Sequence, residues 1–169
     1  MSNGMNLNNL ISGLGIKSNL AGDVSFLIIF LLVSFVVSFV MGKHRLLVSL
    51  LGVYAAYAVV SLASFDFLKE PSMKTVVFLA ILVGFAAFFS KIVRGSVSGH
   101  GPMLMIKLVI GTAIVIGLSL SIILNWYTPK ELADIITPGT RKFFTGDFWR
   151  FTWGIAPLIY LGIVRKRID

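Results

Sequence analysis

The chain has 169 residues, of which 57% are hydrophobic and 13% charged, and it carries a net charge of +8 with a mean hydropathy of +0.93. Soluble domains draw about a quarter of their residues from charged types, and a chain this short leaves too much surface exposed to hide so much apolar material from water, so lipid is the expected solvent. The absence of cysteine excludes disulfides and thiolate metal sites. The bases sit at the edges of apolar runs, where they meet lipid phosphates, so no nucleic-acid partner is expected.

Residues 1–23 are polar and rich in Asn, with Leu7, Leu10, Ile11 and Leu14 at a spacing that predicts a short amphipathic helix lying on the membrane or on a partner. No small-x-small cleavage pattern follows the first apolar run, which is therefore expected to remain as an anchor. A bilayer core of about 30 Å needs about 20 helical residues. The runs 24–41, 46–65, 75–90 and 104–127 approach or exceed that length, contain no acid and form an expected four-helix core over 24–127.

Residues 128–147 read as an outer loop. Within it Thr128, Pro129 and Glu131 have the pattern of a helix start, predicting a brief helix to Ile136 that ends before Pro138 and Gly139. Residues 148–169 form a predicted fifth span over 148–164 with a basic tail. The aromatic entry Phe148, Trp149, Phe151 and Trp153 and the exit Arg165, Lys166 and Arg167 anchor its two ends, Arg150 lies near its start, and Pro157 is expected to kink it. The fold class is thus all-α, a polytopic transmembrane bundle of five spans.

Lys43 with Arg45, Lys91 with Arg94, and Arg165, Lys166 and Arg167 are acid-free basic clusters and the candidate lipid-headgroup residues. By the positive-inside rule they predict an outside N-terminus and a cytoplasmic C-terminus. The connections on the other side mix Lys69, Lys74, Lys130, Arg141 and Lys142 with Asp66, Glu70, Glu131, Asp134 and Asp147, which reads as a solvated face rather than a cation site.

Chemistry is sparse. His44 and His100 lie in basic turns without neighbouring carboxylates, and the glycine-rich segment from Gly95 to Gly101 lacks the lysine and hydroxyl that end a phosphate-binding loop. No catalytic, cofactor-binding or metal-ligating residue is expected, and the chain reads as non-enzymatic. The small-residue pairs Ser34 and Ser38, Gly52 and Ala56, and Ala80 and Gly84 each share a helix face and are candidate helix-packing sites, within the bundle or between copies. Tyr54, Tyr57, Ser61 and Ser64 add a faintly polar stripe to the second run.

Gly42-Lys43-His44-Arg45-Leu46-Leu47-Val48-Ser49-Leu50-Leu51-Gly52-Val53-Tyr54, together with the linker from Lys91 through Gly101 into Leu104, resembles the turn and linker patterns of the colicin V production protein family of small bacterial inner-membrane proteins. The likeness covers residues 24–127. It implies a four-span accessory protein of the inner (plasma) membrane, linked to toxin production or secretion, and supplies no functional residue. The fifth segment departs from that pattern. The expected function is a non-enzymatic membrane subunit or scaffold of the bacterial envelope, with membrane lipids and other subunits or its own copies as partners. The alternative is a homo-oligomeric channel or small-solute exporter lined by the Tyr54 stripe.

Overall fold

Apolar runs of this length must satisfy their backbone groups internally, and the helix does so within one segment. The computed structural model describes residues 18–89, 101–133 and 135–164, without the side chains of residues 18–21, 40 and 42–44, and every regular element among them is helical. The expected N-terminal amphipathic helix and the basic tail lie outside the described residues.

Helix α1, Ser18–Leu62, is a helical stretch of 45 residues where two separate helices were expected. The intervening segment has no proline and a single glycine, Gly42, so nothing in it forbids helical backbone. The stretch is nevertheless not straight. The Phe30 ring lies 6.5 Å from that of Trp153, while the Tyr54 hydroxyl donates to the carbonyl of the next residue, Gly154. In a straight helix Phe30 and Tyr54 would stand about 36 Å apart, too far for both to reach one dipeptide.

The contacts of the two arms fix the reversal. Along the first arm, Asp23 meets Thr140, Phe26 meets Phe144 at 5.8 Å, and Phe30 meets Trp153. Along the second, Leu46 lies against Gly111, and Tyr54 and Tyr57 lie beside Leu118 and Asn125. The first arm therefore ascends residues 140–153 while the second follows 111–125, and α1 doubles back between Phe30 and Leu46.

A 3-10 turn, Asp66–Lys69, leads into α2, Pro71–Phe89, whose Leu82 and Phe85 cover Gly52 of the second arm. Helix α3, Gly101–Leu124, is central. It begins at the left-handed Gly101 (φ 61°), a conformation that costs glycine little, and Pro102 follows in the first turn. Helix α4, Pro129–Ala133, opens with the expected reciprocal cap: the Thr128 backbone N–H donates to Glu131 Oε2 at 2.7 Å, and Glu131 N–H donates to Thr128 Oγ1 at 3.4 Å.

The loop expected after it is instead helix α5, Pro138–Thr145, capped by Thr137. Pro138, read as a terminator, is the first residue of this helix, where its missing N–H costs nothing. Helix α6, Asp147–Val164, carries Pro157 within continuous helix and runs antiparallel to α3, with Trp153 on Gly117 and the Tyr160 hydroxyl donating to the Lys107 carbonyl at 2.6 Å.

Among the described residues four segments are long and apolar enough to cross a membrane: the α1 arms Gly22–Phe39 and Arg45–Leu62, with Pro71–Phe89 and Gly101–Leu124. The core lies where the second arm meets α3, built from Leu46, Leu50, Val53, Leu108, Val115 and Leu118, and closed by Phe78 and Tyr160. The helix directions gather every described carboxylate, Asp23, Asp66, Glu70, Glu131 and Asp147, at one end, which we call the acidic end. Arg45 and Lys107 stand at the other.

Candidate functional site

Three helices that pack through unequal side chains leave gaps, and one here is lined by polar as well as apolar side chains. A recess of about 480 Å³ opens between the second arm, α3 and α6 near the acidic end. Tyr54 and Tyr57 enter it from the second arm, Ser121 and Asn125 from α3, and Asp147 and Arg150 from the first turn of α6. Its floor is the bond from the Tyr54 hydroxyl to the Gly154 carbonyl. Pro157 has no N–H to offer the Trp153 carbonyl, and the Tyr54 hydroxyl donates one residue further on, at Gly154.

Ser121 donates to the Phe144 carbonyl at 2.6 Å, fixing α5 to α3 behind the recess. Arg150 Nη1 stands 3.8 Å from Asp147 Oδ1, longer than the roughly 2.7–2.9 Å of a charge-assisted hydrogen bond, so most of the guanidinium fork is unspent. Among the described residues, the Tyr57 hydroxyl and Asn125 amide have no hydrogen-bond partner.

A second recess, about 280 Å³ and almost wholly apolar, lies between the first arm and α5, lined by Phe26, Leu27, Phe30, Phe143 and Phe144. Asp23 closes one end. It accepts from the Thr137 hydroxyl, from Thr140 N at 2.9 Å and from Thr140 Oγ1 at 2.7 Å. A carboxylate from α1 thus caps the N-terminus of α5 across more than a hundred residues of chain, where the helix dipole favours a negative charge. Gly22 and Gly139 permit the approach, since a Cβ on either would collide with Thr137 or Asp23.

Of the residues singled out in sequence, Ser34 and Ser38 are buried and donate to their own helix, at Phe30 O (2.7 Å) and Phe35 O (2.6 Å). Gly52 and Ala56 are buried in the bundle, whereas Ala80 and Gly84 face outward and Gly84 has nothing within 4 Å of its would-be Cβ. Arg45 is exposed. The side chain of Lys43, and Lys91, Arg94, Arg165, Lys166 and Arg167 altogether, lie outside the described residues, as do His100 and Asp134.

The polar stripe divides: Tyr54 and Tyr57 enter the recess, while Ser61 and Ser64 are exposed beyond it. Sequence reasoning missed Asp23, Asn125 and the recess contribution of Arg150. The signal for Asp23 was present, a lone acid opening an apolar run and a Thr-Pro-Gly-Thr start for α5 with no acid of its own.

No protein-family model, curated protein or solved structure matches this chain.

Proposed function

We propose that the chain is a five-span, non-enzymatic subunit or scaffold of the bacterial inner membrane, with its N-terminus outside and its C-terminus in the cytoplasm. One observation carries the reading. Two of the four apolar segments among the described residues bury few side chains fully, 11% of Gly22–Phe39 and 6% of Pro71–Phe89. The exposed positions among them, Leu27, Ile28, Val76 and Val83 included, suit lipid and the helices of a partner.

The interior speaks in the same sense. Among the described residues the buried polar side chains are all Ser or Thr, whereas ion and proton paths across a bilayer ordinarily use carboxylates, His or Arg. The reading of α6 as a fifth crossing draws on its antiparallel course along the length of α3, and the orientation draws on the acid-free clusters Lys43 with Arg45, Lys91 with Arg94, and Arg165 to Arg167 in the sequence. The resemblance of residues 24–127 to the colicin V production family adds a link to toxin production or secretion.

A reporter active only outside the cytoplasm should be active when fused before Met1 and silent after Asp169; activity at both ends would remove the fifth crossing. For the subunit reading, a photo-crosslinker replacing Val83, which is 67% exposed on α2, should capture a defined second protein in native membranes. Capture of lipid alone would sink it.

The second reading is a homo-oligomeric channel or small-solute exporter, which draws on the Tyr54 and Tyr57 recess. It predicts solute flux in reconstituted vesicles that changes with Tyr57→Leu, together with Val83 crosslinks between copies.

A further inference from the structure

We propose that the recess between the second arm and α6 is a binding site for a zwitterionic phospholipid, with its phosphate on Arg150, its ammonium toward Asp147 and one acyl chain in the seam below. The proposal rests on the five-span reading, in which the acidic end lies at the membrane surface.

The head region matches that chemistry group by group. Arg150 is partly open, its side chain 45% exposed, and offers a planar fork suited to two phosphate oxygens. The Asn125 amide and Tyr57 hydroxyl stand in the same recess as further donors. Asp147 is fully exposed at the rim and only 3.8 Å from the guanidinium. A purely anionic head would be repelled by that carboxylate, and a purely cationic one by Arg150. A head carrying both signs a few ångströms apart satisfies both.

The seam supplies the tail site. On α6, Phe151 lies one turn before Gly154 and Leu158 one turn after it; on the second arm, Leu51 and Tyr57 flank Tyr54 in the same way. Leu51 is 48% and Leu158 54% exposed although both flank the Tyr54 to Gly154 crossbar. Exposed apolar side chains therefore continue past the crossbar on both helices. From Arg150 to Leu158 this strip runs for about 12 Å at the helical rise, enough for the upper part of an acyl chain. A polar head recess joined to an apolar strip suits a membrane amphiphile.

The test is lipid titration of the full-length, delipidated protein in detergent, read by native mass spectrometry, with phosphatidylethanolamine, phosphatidylglycerol, diacylglycerol and inorganic phosphate as separate probes. Phosphatidylethanolamine should bind tightest. Arg150→Gln should weaken it by about tenfold, the worth of a charge-assisted contact, while the thermal midpoint stays in place. Asp147→Asn should erase the preference over phosphatidylglycerol, and Tyr57→Phe, which preserves shape, should weaken binding by about threefold.

Diacylglycerol binding as tightly as phosphatidylethanolamine, or an Arg150→Gln protein binding like the parent, overturns the site. Inorganic phosphate binding with the same dependence on Arg150 overturns the lipid assignment. The titration is blind to topology, and the reporter after Asp169 is blind to lipid, so failure of one is distinguishable from failure of the other.

Discussion

The first and second arms of α1 make the most instructive pair in the molecule. Both are candidate spans of 18 residues, yet half of Arg45–Leu62 is buried within the chain against 11% of Gly22–Phe39. Apolar character does not separate them, because in lipid a leucine gains nothing from exchanging an acyl chain for another leucine. Shape separates them. The second arm offers Gly52 to α2, buries Ala56 in the core and lays Leu46 on Gly111 of α3, so helices approach closely and dispersion contacts accumulate. The first arm presents Leu27, Ile28, Phe35 and Phe39 outward, buries only the small Ser34 and Ser38 fully among its described residues, and meets α5 and α6 through Asp23, Phe26 and Phe30.

If close approach at small residues defines the inner layer, enlarging one of them should do the most damage. Gly117 of α3 lies directly under the Trp153 ring. Gly117→Leu should destabilise the detergent-solubilised protein by about 3 kcal/mol, the upper range for overpacking, and detach α6. Unfolding in a denaturing detergent, with Trp fluorescence as the probe, would show it, and an unchanged midpoint would mean that α6 is not docked as described.

The same contrast can be sharpened inside one outer helix. Phe78 is the fully buried residue of α2, edge-on to Trp126 at 5.7 Å, whereas Phe88 is 66% exposed. Because the unfolded helix still lies among lipid tails, truncation loses packing but little transfer energy. Phe78→Ala should therefore cost about 2 kcal/mol rather than the 3–5 typical in water. Phe88→Ala should cost less than about 0.5 kcal/mol. Equal losses measured by the same unfolding assay would abolish the distinction between inner and outer faces.

The apolar segments were legible because length and composition mark each one separately, and each expected run overlaps an observed helix, the first two sharing the single helical stretch α1. What sequence could not supply was which helix lies inside, since that depends on pairs such as Gly117 with Trp153, 36 residues apart in the chain. Helix α5 was hidden by Pro138, whose meaning as start or stop depends on whether Thr137 caps, and the carboxylate that completes that cap comes from Asp23. The recess was half legible: Tyr54 and Tyr57 are on one helical stripe, but Asn125, Asp147 and Arg150 join them only once α3 and α6 are antiparallel.

Asp23 also gives a polar test of the first arm, whose contacts with α5 and α6 otherwise run through Phe26 and Phe30. Asp23→Ala leaves the Thr137 and Thr140 donors without their acceptor and should cost about 1 kcal/mol, the usual worth of a cap. Amide hydrogen exchange should quicken at Thr140 and Arg141 while α3 is unaffected. Asp23→Asn, which keeps an acceptor oxygen, should recover most of the protection, and if it recovers none the clasp depends on charge rather than geometry.

The smallest effect belongs to the cap built within one turn. The Thr128 backbone N–H, then its hydroxyl, donate to Glu131 and hold its carboxyl below the usual glutamate range. A depressed folded pKa means that the stabilisation is fully present above the unfolded glutamate value and is lost as pH falls through the lower folded one. Exchange at the first amides of α4, corrected for intrinsic rates, should therefore be protected equally at pH 7 and pH 6 and lose protection only in the acid range below ordinary glutamate titration. Glu131→Gln should flatten that dependence while retaining part of the cap, since the amide oxygen still accepts. Asp23 caps from another helix and Glu131 from its own, so the comparison closes on locality: loss of the first should loosen the contact between α1 and α5, whereas loss of the second should stop at Ala133. Slowed or quickened exchange in α5 on titrating Glu131 would contradict this.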